Sequence, residues 1–364
     1  MQKRIRYAVV GLGHIAQTAV LPAFKHAATN SALTAIVSDD PRKRRDIAGK
    51  YRLQHTYTYK EYERCLEEVD AVYIALPNSM HEEYTIRAAS AGVHVLCEKP
   101  LAVTTNQCRN MVKACRGKKV KLMVAYRLHF EQINLEVMDL VRKGRIGRPR
   151  YFNSSFSMKV RAGDIRTKAD MGGGTLYDIG IYCINAARYL FGGEPLAVQA
   201  ISVNSGTPRL SEIDETTGAL LRFEKDCVAA FVTSFNATDV ATYVIVGDKG
   251  QIRVDNAYEY AEGLKYELTV DGKKTKKAIA KRDQFGPELL YFSDCILRDR
   301  QPEPSGEEGM QDVRIITALY DSARTGRAVK IPHFSDKKPR IAQQIRKPGI
   351  KKPVLINAVN PSMD

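Results

Sequence analysis

The first part of the chain alternates between short apolar runs and longer stretches of helical period. The runs are rich in β-branched residues and lie at residues 4–10, 32–37, 71–76, 93–97 and 122–125. Strands that alternate with amphipathic helices form right-handed crossovers, so this pattern predicts a parallel sheet covered on both faces. Pro22 falls within the first helical stretch and is expected to kink that helix or end it early.

After about residue 150 the pattern changes to closely spaced strands. These strand-like runs lie at residues 151–160, 197–203, 218–223, 228–235, 241–246 and 251–254. Several are joined by short turns, which is typical of antiparallel neighbours. Helices are expected at about residues 286–299 and 309–325. The predicted fold class is therefore α/β, with an N-terminal parallel sheet and a C-terminal α+β domain that has a large, mainly antiparallel open sheet.

A glycine-rich turn follows the first predicted strand. Residues 11–16 have the form G-x-G-x-x-A, and a helical pattern opens there. Gly11 permits the tight turn and Gly13 lets the backbone approach a pyrophosphate, while the N–H groups at the start of the helix, which include His14 and Ile15, favour an anion. This context predicts a dinucleotide-binding Rossmann domain. The alternative is a glycine turn that only connects two elements.

The end of the second strand bears on the choice of cofactor. Ser38 stands at its tip, and basic residues 42–45 follow. A serine hydroxyl with nearby guanidinium and ammonium groups suits a 2′-phosphate, so NADP is favoured. NAD is possible if Asp39, rather than Ser38, faces the ribose. The basic residues could also be a solvated helix start.

Two further segments carry candidate chemistry. Residues 98–100, Glu-Lys-Pro, follow a parallel strand, whose carboxyl end faces the ligand crevice, and so aim Lys99 at that crevice. In residues 172–182, three glycines that would let the backbone crowd a ligand precede Asp178 and Tyr182, which are four apart and share a helix face. Considered singly, Lys99 could be a surface lysine, and Asp178 and Tyr182 a structural hydrogen-bonded pair.

Together these motifs resemble the Gfo/Idh/MocA family, which includes glucose-fructose oxidoreductase, inositol dehydrogenases and sugar dehydrogenases. The likeness runs from about residue 4 to 333 and also covers Leu76-Pro77-Asn78 with His81, Tyr126-Arg127 and the run 178–185. Many members have His where this chain has Tyr182. In that respect the chain resembles the glucose-fructose oxidoreductase branch and its NADP-dependent aldose dehydrogenase relatives.

The resemblance implies a catalytic set of Lys99, Asp178 and Tyr182. Tyr182 would take the proton of an anomeric hydroxyl as hydride leaves for NADP, and the product of aldose oxidation would be a lactone. Free tyrosine has a pKa of about 10, so a tyrosine base needs help. Lys99 would stabilise the tyrosinate, and Asp178 would hold the sugar or orient Tyr182. The residues expected to contact the cofactor are Gly11, Gly13, His14, Ile15, Ser38, Lys43, Leu76, Pro77, Asn78, His81, Glu98, Lys99 and Arg127.

The expected function is thus NADP-dependent hydride transfer at the anomeric carbon of a glucose- or xylose-like aldose. Alternatives are a dehydrogenase or reductase of another cyclic polyol, keto-sugar or trans-dihydrodiol, and a non-catalytic NADP-binding sensor. Arg127, Arg161 and Arg166 could contact substrate, and each could equally belong to a structural ion pair. Because this chain lacks the export signal and N-terminal arm of the secreted glucose-fructose oxidoreductases, ordinary cofactor exchange is expected rather than a closed two-sugar cycle.

Three regions follow from these patterns. Residues 1–126 form the dinucleotide-binding Rossmann domain, 127–333 the domain for substrate binding and oligomerisation, and 334–364 an extended basic tail that could lie across a partner subunit. The family resemblance implies a homodimer or homotetramer through the C-terminal sheet.

Composition argues against several other classes of protein, namely nucleic-acid-binding, metal-binding, disulfide-linked and membrane proteins. The formal charge of +15 raises nucleic acid as a partner, but the basic residues are dispersed and show no nucleic-acid-binding motif. Seven cysteines without a C-x-x-C pair indicate reduced thiols and no metal site. No apolar run is long enough to span a bilayer, and the N-terminus enters a strand directly, so a cytoplasmic enzyme is expected.

Overall fold

A computed structural model describes residues 3–332 and 347–363, which fold into two compact units. The first unit takes in the residues up to Phe130, Arg282–Met310 and the described C-terminal residues as far as Pro361. The second takes in Glu131–Lys281 and the described residues from Gln311 to 332, together with 362–363.

The secondary structure follows the predicted alternation in the first unit and the run of strands in the second. The strands are β1 (Ile5–Val10), β2 (Ser31–Val37), β3 (His55–Tyr57), β4 (Ala71–Ile74), β5 (His94–Cys97), β6 (Leu122–Val124), β7 (Pro149–Ser157), β8 (Ala197–Val203), β9 (Thr216–Arg222), β10 (Val228–Ser234), β11 (Val240–Gly247), β12 (Gly250–Asp255), β13 (Lys265–Val270), β14 (Lys273–Ala278) and β15 (Val329–Lys330). The α-helices are α1 (Leu21–Ala23), α2 (Pro41–Tyr51), α3 (Tyr62–Leu66), α4 (His81–Ser90), α5 (Thr105–Gly117), α6 (Gln132–Arg142), α7 (Ile181–Phe191), α8 (Phe285–Leu297) and α9 (Gly306–Thr325). Two π-helical turns lie at Ala16–Val20 and Leu176–Gly180, and 3-10 turns lie at Tyr59–Glu61, Asn78–Met80, Arg127–Phe130, Ile165–Thr167 and Pro208–Leu210.

The first unit is built on a six-stranded parallel sheet in the order β3-β2-β1-β4-β5-β6. This confirms the predicted Rossmann sheet. The sequence prediction missed β3 because three residues that begin with the exposed His55 carry no periodic signal. Pro22 stands in the short helix α1, which ends at Ala23, as a residue without an N–H donor leads one to expect.

Helix α8 packs on the first sheet although it comes late in the chain. The Tyr7 and Ser31 hydroxyls lie 2.8 Å and 2.7 Å from that of Ser293, and the Asn30 side chain donates to the Leu290 carbonyl at 2.9 Å. The first unit therefore includes residues that the sequence prediction had placed within 127–333. The cause is packing between distant segments, which local periodicity does not encode. The predicted boundaries at residues 126 and 333 stay a prediction.

The second unit is built on a nine-stranded sheet in the order β14-β13-β12-β11-β7-β10-β9-β8-β15. Strands β7 and β10 pair in parallel and the other neighbours are antiparallel, which confirms the predicted, mainly antiparallel sheet. Strands β13, β14 and β15 lie outside the predicted runs, and β14 gave no apolar alternation because its lysine-rich sequence is exposed along its whole length. One part of the sheet carries exposed apolar side chains, which we term the open face: Tyr151, Ile201, Val203, Leu220, Val228 and Val232.

The described part of the tail, residues 347–363, contains isolated bridges and no helix. Its residues Ile356 and Asn357 hydrogen-bond to Gln17 and Asp40 of the same chain, and the expectation that the tail lies across a partner subunit stays a prediction. The rest of the predicted tail, 334–346 and 364, lies outside the described residues. In the described part of the chain, no helix has the combination of length and apolar character that a bilayer span requires.

Candidate active site

The conformation of the glycine-rich turn at residues 11–16, which we term the phosphate turn, depends on its first glycine. Gly11 follows β1 with φ of +92°, and a Cβ at this position would lie 2.5 Å from the backbone oxygen of Ala75. Glycine is therefore required both by conformation and by space. A Cβ built at Gly13 meets no atom of the described residues within 4 Å, so the space beside this residue is open. The turn thus fits the close approach of a pyrophosphate.

The helix after the phosphate turn begins with an unusual wide turn. Ala16–Val20 is π-helical, and the small side chain of Ala16 is fully buried. The buried Gln17 side chain donates to the carbonyl of Leu12, in the middle of the phosphate turn, at 3.0 Å. π-Helical turns are common at functional sites, and this one was not predicted.

The tip of β2 is organised by backbone and side-chain contacts. Ser38 is buried, its N–H donates to the Tyr57 carbonyl at 2.9 Å, and its hydroxyl accepts the Asp40 N–H at 3.3 Å. Asp39 accepts the N–H of Tyr59 at 2.8 Å through one carboxylate oxygen. Part of the Asp39 carboxylate is therefore occupied by the backbone that follows β3.

Helix α2 begins beside this tip. Asp40 caps the helix by accepting the Lys43 N–H at 3.0 Å, and this contact is the main cause of the lowered pKa of Asp40. The Arg44 guanidinium donates to the Ser38 carbonyl. The helix start thus places the half-buried Lys43 close in sequence and space to the end of β2, where an anion would be stabilised.

His81 connects the segments that follow β4 and β5. Its ring is fully buried, with Nε2 3.0 Å from the carbonyl oxygen of Leu76 and Nδ1 2.9 Å from that of Pro100. Burial lowers the pKa of His81 because it disfavours the charged ring. These contacts favour a positioning role, since the ring lies between the carbonyl groups of Leu76 and Pro100 and, when neutral, donates to one of them. The half-buried Pro77 and Asn78 lie between Leu76 and His81.

Glu98 supports the backbone of the candidate catalytic lysine. The Tyr73 hydroxyl donates to one oxygen of Glu98 at 2.8 Å, and the Lys99 N–H donates to the other at 3.2 Å. Burial raises the pKa of Glu98, although the charge of Lys99 acts against the shift. Tyr73 also reaches Glu288 of α8 at 3.4 Å. The half-buried Lys99 therefore follows a carboxyl group that is itself held by the core.

Arg127 is held in the same unit. Its side chain is buried and donates to Gln284 at 2.7 Å. Burial and the neighbouring Glu98 raise the pKa of Glu288 well above its usual value, while the charge of Arg127 acts against this shift. Sequence reasoning missed Glu288 and Gln284, because they come from the late segment that packs on this unit.

In the second unit, Asp178 lies on the π-helical turn before α7 and is paired with an arginine. The Arg166 Nε donates to Asp178 at 2.7 Å, and Arg166 also contacts Asp164 at 3.2 Å. Burial tends to lower the pKa of Arg166, but the two carboxylates outweigh it and raise the pKa. Arg166 therefore belongs to an ion pair that orients Asp178.

Tyr182 lies on α7, one turn after Asp178, and is half-buried between aromatic rings. Its ring centroid is 5.7 Å from that of Phe156 in an edge-to-face contact and 5.8 Å from that of Tyr258. The Tyr258 hydroxyl is in turn 2.6 Å from that of Ser154. These rings fix the orientation of the phenol. Their positions in β7 and after β12 gave no sequence signal of this role.

In the glycine loop before α7, two glycines have the space beside their Cα atoms filled by protein. A Cβ at Gly173 would lie 2.4 Å from the backbone oxygen of Arg166, and one at Gly174 would lie 2.4 Å from the Tyr320 hydroxyl. Tyr320 also donates to Asp214 at 2.8 Å. Gly173 and Gly174 thus let the loop fit against its own neighbours, and the expectation that the three glycines let the backbone crowd a ligand stays a prediction.

Comparison with known proteins identifies the family. The family model described as oxidoreductase family, NAD-binding Rossmann fold, matches residues 5–126, and the GFO/IDH/MocA C-terminal domain matches residues 134–253. A dTDP-3,4-didehydro-2,6-dideoxy-alpha-D-glucose 3-reductase of Saccharopolyspora spinosa is 33% identical over 90% of this chain and 99% of its own length. This chain belongs to the Gfo/Idh/MocA oxidoreductase family.

Other Gfo/Idh/MocA proteins agree with the predicted branch. An NADP(+)-dependent D-xylose 1-dehydrogenase of Haloarcula marismortui is 29% identical over 90% of this chain and 93% of its own length. The crystal structure of aldose-aldose oxidoreductase from Caulobacter crescentus is 36% identical, covers 90% of this chain and all of its own, and superposes with a TM-score of 0.86. The predicted family and fold class, and the prediction of an oxidoreductase, are confirmed.

The residue roles carried over from the Gfo/Idh/MocA family stay predictions. Lys99 belongs to the first unit, and Asp178 and Tyr182 belong to the second. Within each unit the structure brings its predicted residues into an ordered local setting. Their joint action on one substrate is a proposal that mutagenesis must test.

Proposed function

We propose that this chain is an NADP-dependent sugar oxidoreductase that transfers hydride between the anomeric carbon of a glucose- or xylose-like aldose and NADP, with a lactone as the oxidised product. The observation that carries the proposal is the pairing, one helical turn apart, of Tyr182 with an Asp178 held by Arg166 at 2.7 Å. A phenol and an oriented carboxylate suit a polar substrate with several hydroxyl groups. The names of the xylose dehydrogenase and aldose-aldose oxidoreductase relatives support the substrate class.

The preference for NADP is supported by the end of β2. Ser38 and Lys43 supply a hydroxyl and an ammonium group for a 2′-phosphate. Asp39, whose carboxylate would favour the ribose hydroxyls of NAD, accepts a hydrogen bond from the Tyr59 backbone. The open space beside Gly13 fits the pyrophosphate that both cofactors share.

Three side chains would carry the reaction. When bound, the nicotinamide supplies the acceptor for hydride. Tyr182 takes the proton of the anomeric hydroxyl through its phenolic oxygen, and in the reverse direction the phenol returns that proton to the carbonyl oxygen. Lys99, as an ammonium group, stabilises the tyrosinate. Asp178 holds a sugar hydroxyl or orients Tyr182, and Arg166 holds its carboxylate in place through the hydrogen bond from Nε.

The proposal is tested by substitution of the two reacting groups. Tyr182→Phe and Lys99→Met should each lower kcat by about two orders of magnitude or more, since each removes a group used in proton transfer, while the Kd for NADP stays within about twofold. Reduced nicotinamide absorbance reports turnover, and quenching of protein fluorescence reports binding. Tyr266→Phe, the same change on β13, is the control. Near-normal kcat in either active-site variant would reject these roles.

A second candidate is an aldose-aldose oxidoreductase, favoured by the 36% identity to the Caulobacter enzyme of that name. In that case one aldose would be oxidised and a second reduced, with no net consumption of NADP. Incubation of the enzyme with two aldoses and catalytic NADP, followed by product analysis, separates the two functions. A panel of inositols and diols in the same assay tests the alternative polyol substrates.

We also propose that a second copy of the chain covers the open face. Ile201 and Leu220 on neighbouring strands are 70% and 51% exposed, and an apolar patch of this kind is typical of a protein interface. A homodimer or homotetramer through this face is the arrangement that the family resemblance led us to expect.

A further inference from the structure

The C-terminal residues 354–359, which we term the strap, are hydrogen-bonded to the helix that follows the phosphate turn. The Ile356 N–H donates to the Gln17 side chain at 2.7 Å, and the Ile356 carbonyl accepts from the same side chain at 2.8 Å. Gln17 is only 4% exposed and also donates to the Leu12 carbonyl at 3.0 Å. One buried amide therefore connects the strap to the turn that would hold pyrophosphate.

The next residue of the strap contacts the other cofactor loop. The Asn357 amide donates to the Asp40 carboxylate at 3.1 Å, and its carbonyl oxygen accepts from Arg42 at 3.3 Å. Asn357 has φ of +45°, in the left-handed region that asparagine tolerates better than most residues. Two consecutive residues of the strap thus bridge the phosphate turn and the loop after β2.

These two loops are the ones predicted to bind the pyrophosphate and the adenosine ribose of a dinucleotide. We propose that the strap is part of the cofactor site: it lies over the adenosine end of NADP, completes the surroundings of the 2′-phosphate through Asn357, and slows cofactor release. This inference rests on the proposed use of NADP. It adds a specificity-determining residue, Asn357, that lies more than 300 positions from the loop it serves.

The contacts of the strap indicate that it covers the bound cofactor rather than competing with the cofactor for its site. The strap engages Gln17 and Asp40, which are not among the residues predicted to hold the cofactor, and Arg42, which belongs to the basic segment predicted to suit the 2′-phosphate. The neutral amide of Asn357 offsets the charge of Asp40, a carboxylate that would otherwise repel a 2′-phosphate nearby. The same side chain holds the cationic Arg42 at this end of the site. Both effects favour NADP over NAD.

The charge effect is tested with Asn357→Asp in the full-length protein. A carboxylate here would face Asp40 and add negative charge beside the 2′-phosphate, so the Kd for NADP should rise about tenfold while that for NAD changes less than about twofold. Isothermal titration calorimetry with each cofactor gives both constants. The matched control is Val359→Asp, which adds the same charge to a side chain that is 72% exposed.

The covering effect is tested with Ile356→Pro, which removes the N–H that Gln17 accepts. Release of both reduced cofactors, followed by stopped-flow fluorescence, should become about fivefold faster or more. Val354→Pro, at a position 84% exposed, is the control, and unchanged thermal unfolding shows that the variants are folded.

The possible outcomes distinguish failure of the strap inference from failure of the proposed function. Unchanged NADP binding and release in both variants would overturn the inference, and tighter binding would show that the strap competes with the cofactor. Failure of the unaltered protein to bind either cofactor would instead reject the proposed function. The expected result is weaker binding of NADP but not of NAD in Asn357→Asp, together with faster release of both reduced cofactors in Ile356→Pro.

Discussion

The phosphate turn of the first unit, residues 11–16, and the proposed catalytic segment of the second unit, residues 172–182, have similar sequence patterns but are built differently. Each has glycines followed by a π-helical turn. In the phosphate turn, Gly11 is required by its backbone conformation and the open space at Gly13 suits a ligand, whereas in the catalytic segment Gly173 and Gly174 fit against protein. A glycine-rich loop therefore indicates that other atoms come close to its backbone. Only the packing of the folded chain shows whether there is space for a ligand or whether other protein atoms fill it.

The two segments also differ in what orients their functional groups. Backbone N–H groups would make the predicted phosphate site, and they are positioned by a few consecutive residues. The catalytic segment depends on side chains from elsewhere: Arg166 holds Asp178, and Phe156 and Tyr258 flank Tyr182. The phosphate site should thus be sensitive to backbone changes, and the catalytic segment to changes in distant side chains.

The largest effect is expected at the backbone of the phosphate turn. Gly11→Ala would place a Cβ 2.5 Å from the Ala75 oxygen at φ of +92°, and should destabilise the protein by about 3 kcal/mol or more and abolish cofactor binding. Thermal unfolding and NADP titration measure the two losses. Gly92→Ala is the control, because it has φ of +78° and no described atom near its Cβ. Equal losses in the two variants would contradict the role of the close contact.

The second-largest effect is expected in the second unit, on loss of the ion pair between Arg166 and Asp178. Arg166→Met removes the ion pair that orients Asp178 and should lower kcat by about 10- to 100-fold while the Kd for NADP is unchanged. Arg166→Lys should restore part of kcat, because it keeps a cation near Asp178. Arg253→Met, which breaks an exposed ion pair with Asp255 on β12 of the same unit, is the control. Steady-state kinetics with the best aldose gives the values, and an unaltered kcat in Arg166→Met would show that the pair does not serve catalysis.

A smaller effect is expected at the open face of the second sheet. Leu220→Arg replaces a side chain that is 51% exposed and should weaken self-association by about 2 kcal/mol, because a charge would replace buried apolar area in the interface. Sedimentation velocity over a range of concentrations measures the shift toward monomer. Gln251→Arg, on β12 beside Arg253, is the control. A monomeric unaltered protein would reject the interface itself.

The smallest effect tests whether distant side chains also matter in the first unit. Burial raises the pKa of Glu288 above the ordinary value of 4.5, so the folded protein retains a proton that the unfolded chain has lost. The stabilisation is full below pH 4.5 and is lost as the pH rises from there through the folded-state pKa. Glu288→Gln should remove this dependence, which we expect to amount to a few degrees in Tm.

Thermal unfolding between pH 5 and pH 9 compares Glu288→Gln with the unaltered protein and with Glu67→Gln, an exposed control on the same unit. The unaltered protein and the control should lose stability with rising pH more steeply than Glu288→Gln. Parallel curves for all three proteins would contradict the raised pKa.

The parts of the fold that could be predicted are those decided by short segments. The parallel strands, the glycine turn and the early end of the first helix at Pro22 each depend on a few neighbouring residues. Strands β3 and β14 could not be predicted, since one is too short and the other too polar to show a period. Their place in a sheet comes from pairing with neighbours.

The sequence by itself determined the parallel sheet, the phosphate turn and the family, because local backbone preferences and short motifs decide them. Only the tertiary structure decided that α8 completes the first unit, that Arg166 orients Asp178 and that the strap joins Gln17 to Asp40. Each of these contacts links residues through packing or a hydrogen bond whose partners no local pattern specifies. The candidate functional groups of this protein thus lie in short sequence motifs, whereas the orientation of these groups depends on contacts with distant parts of the chain.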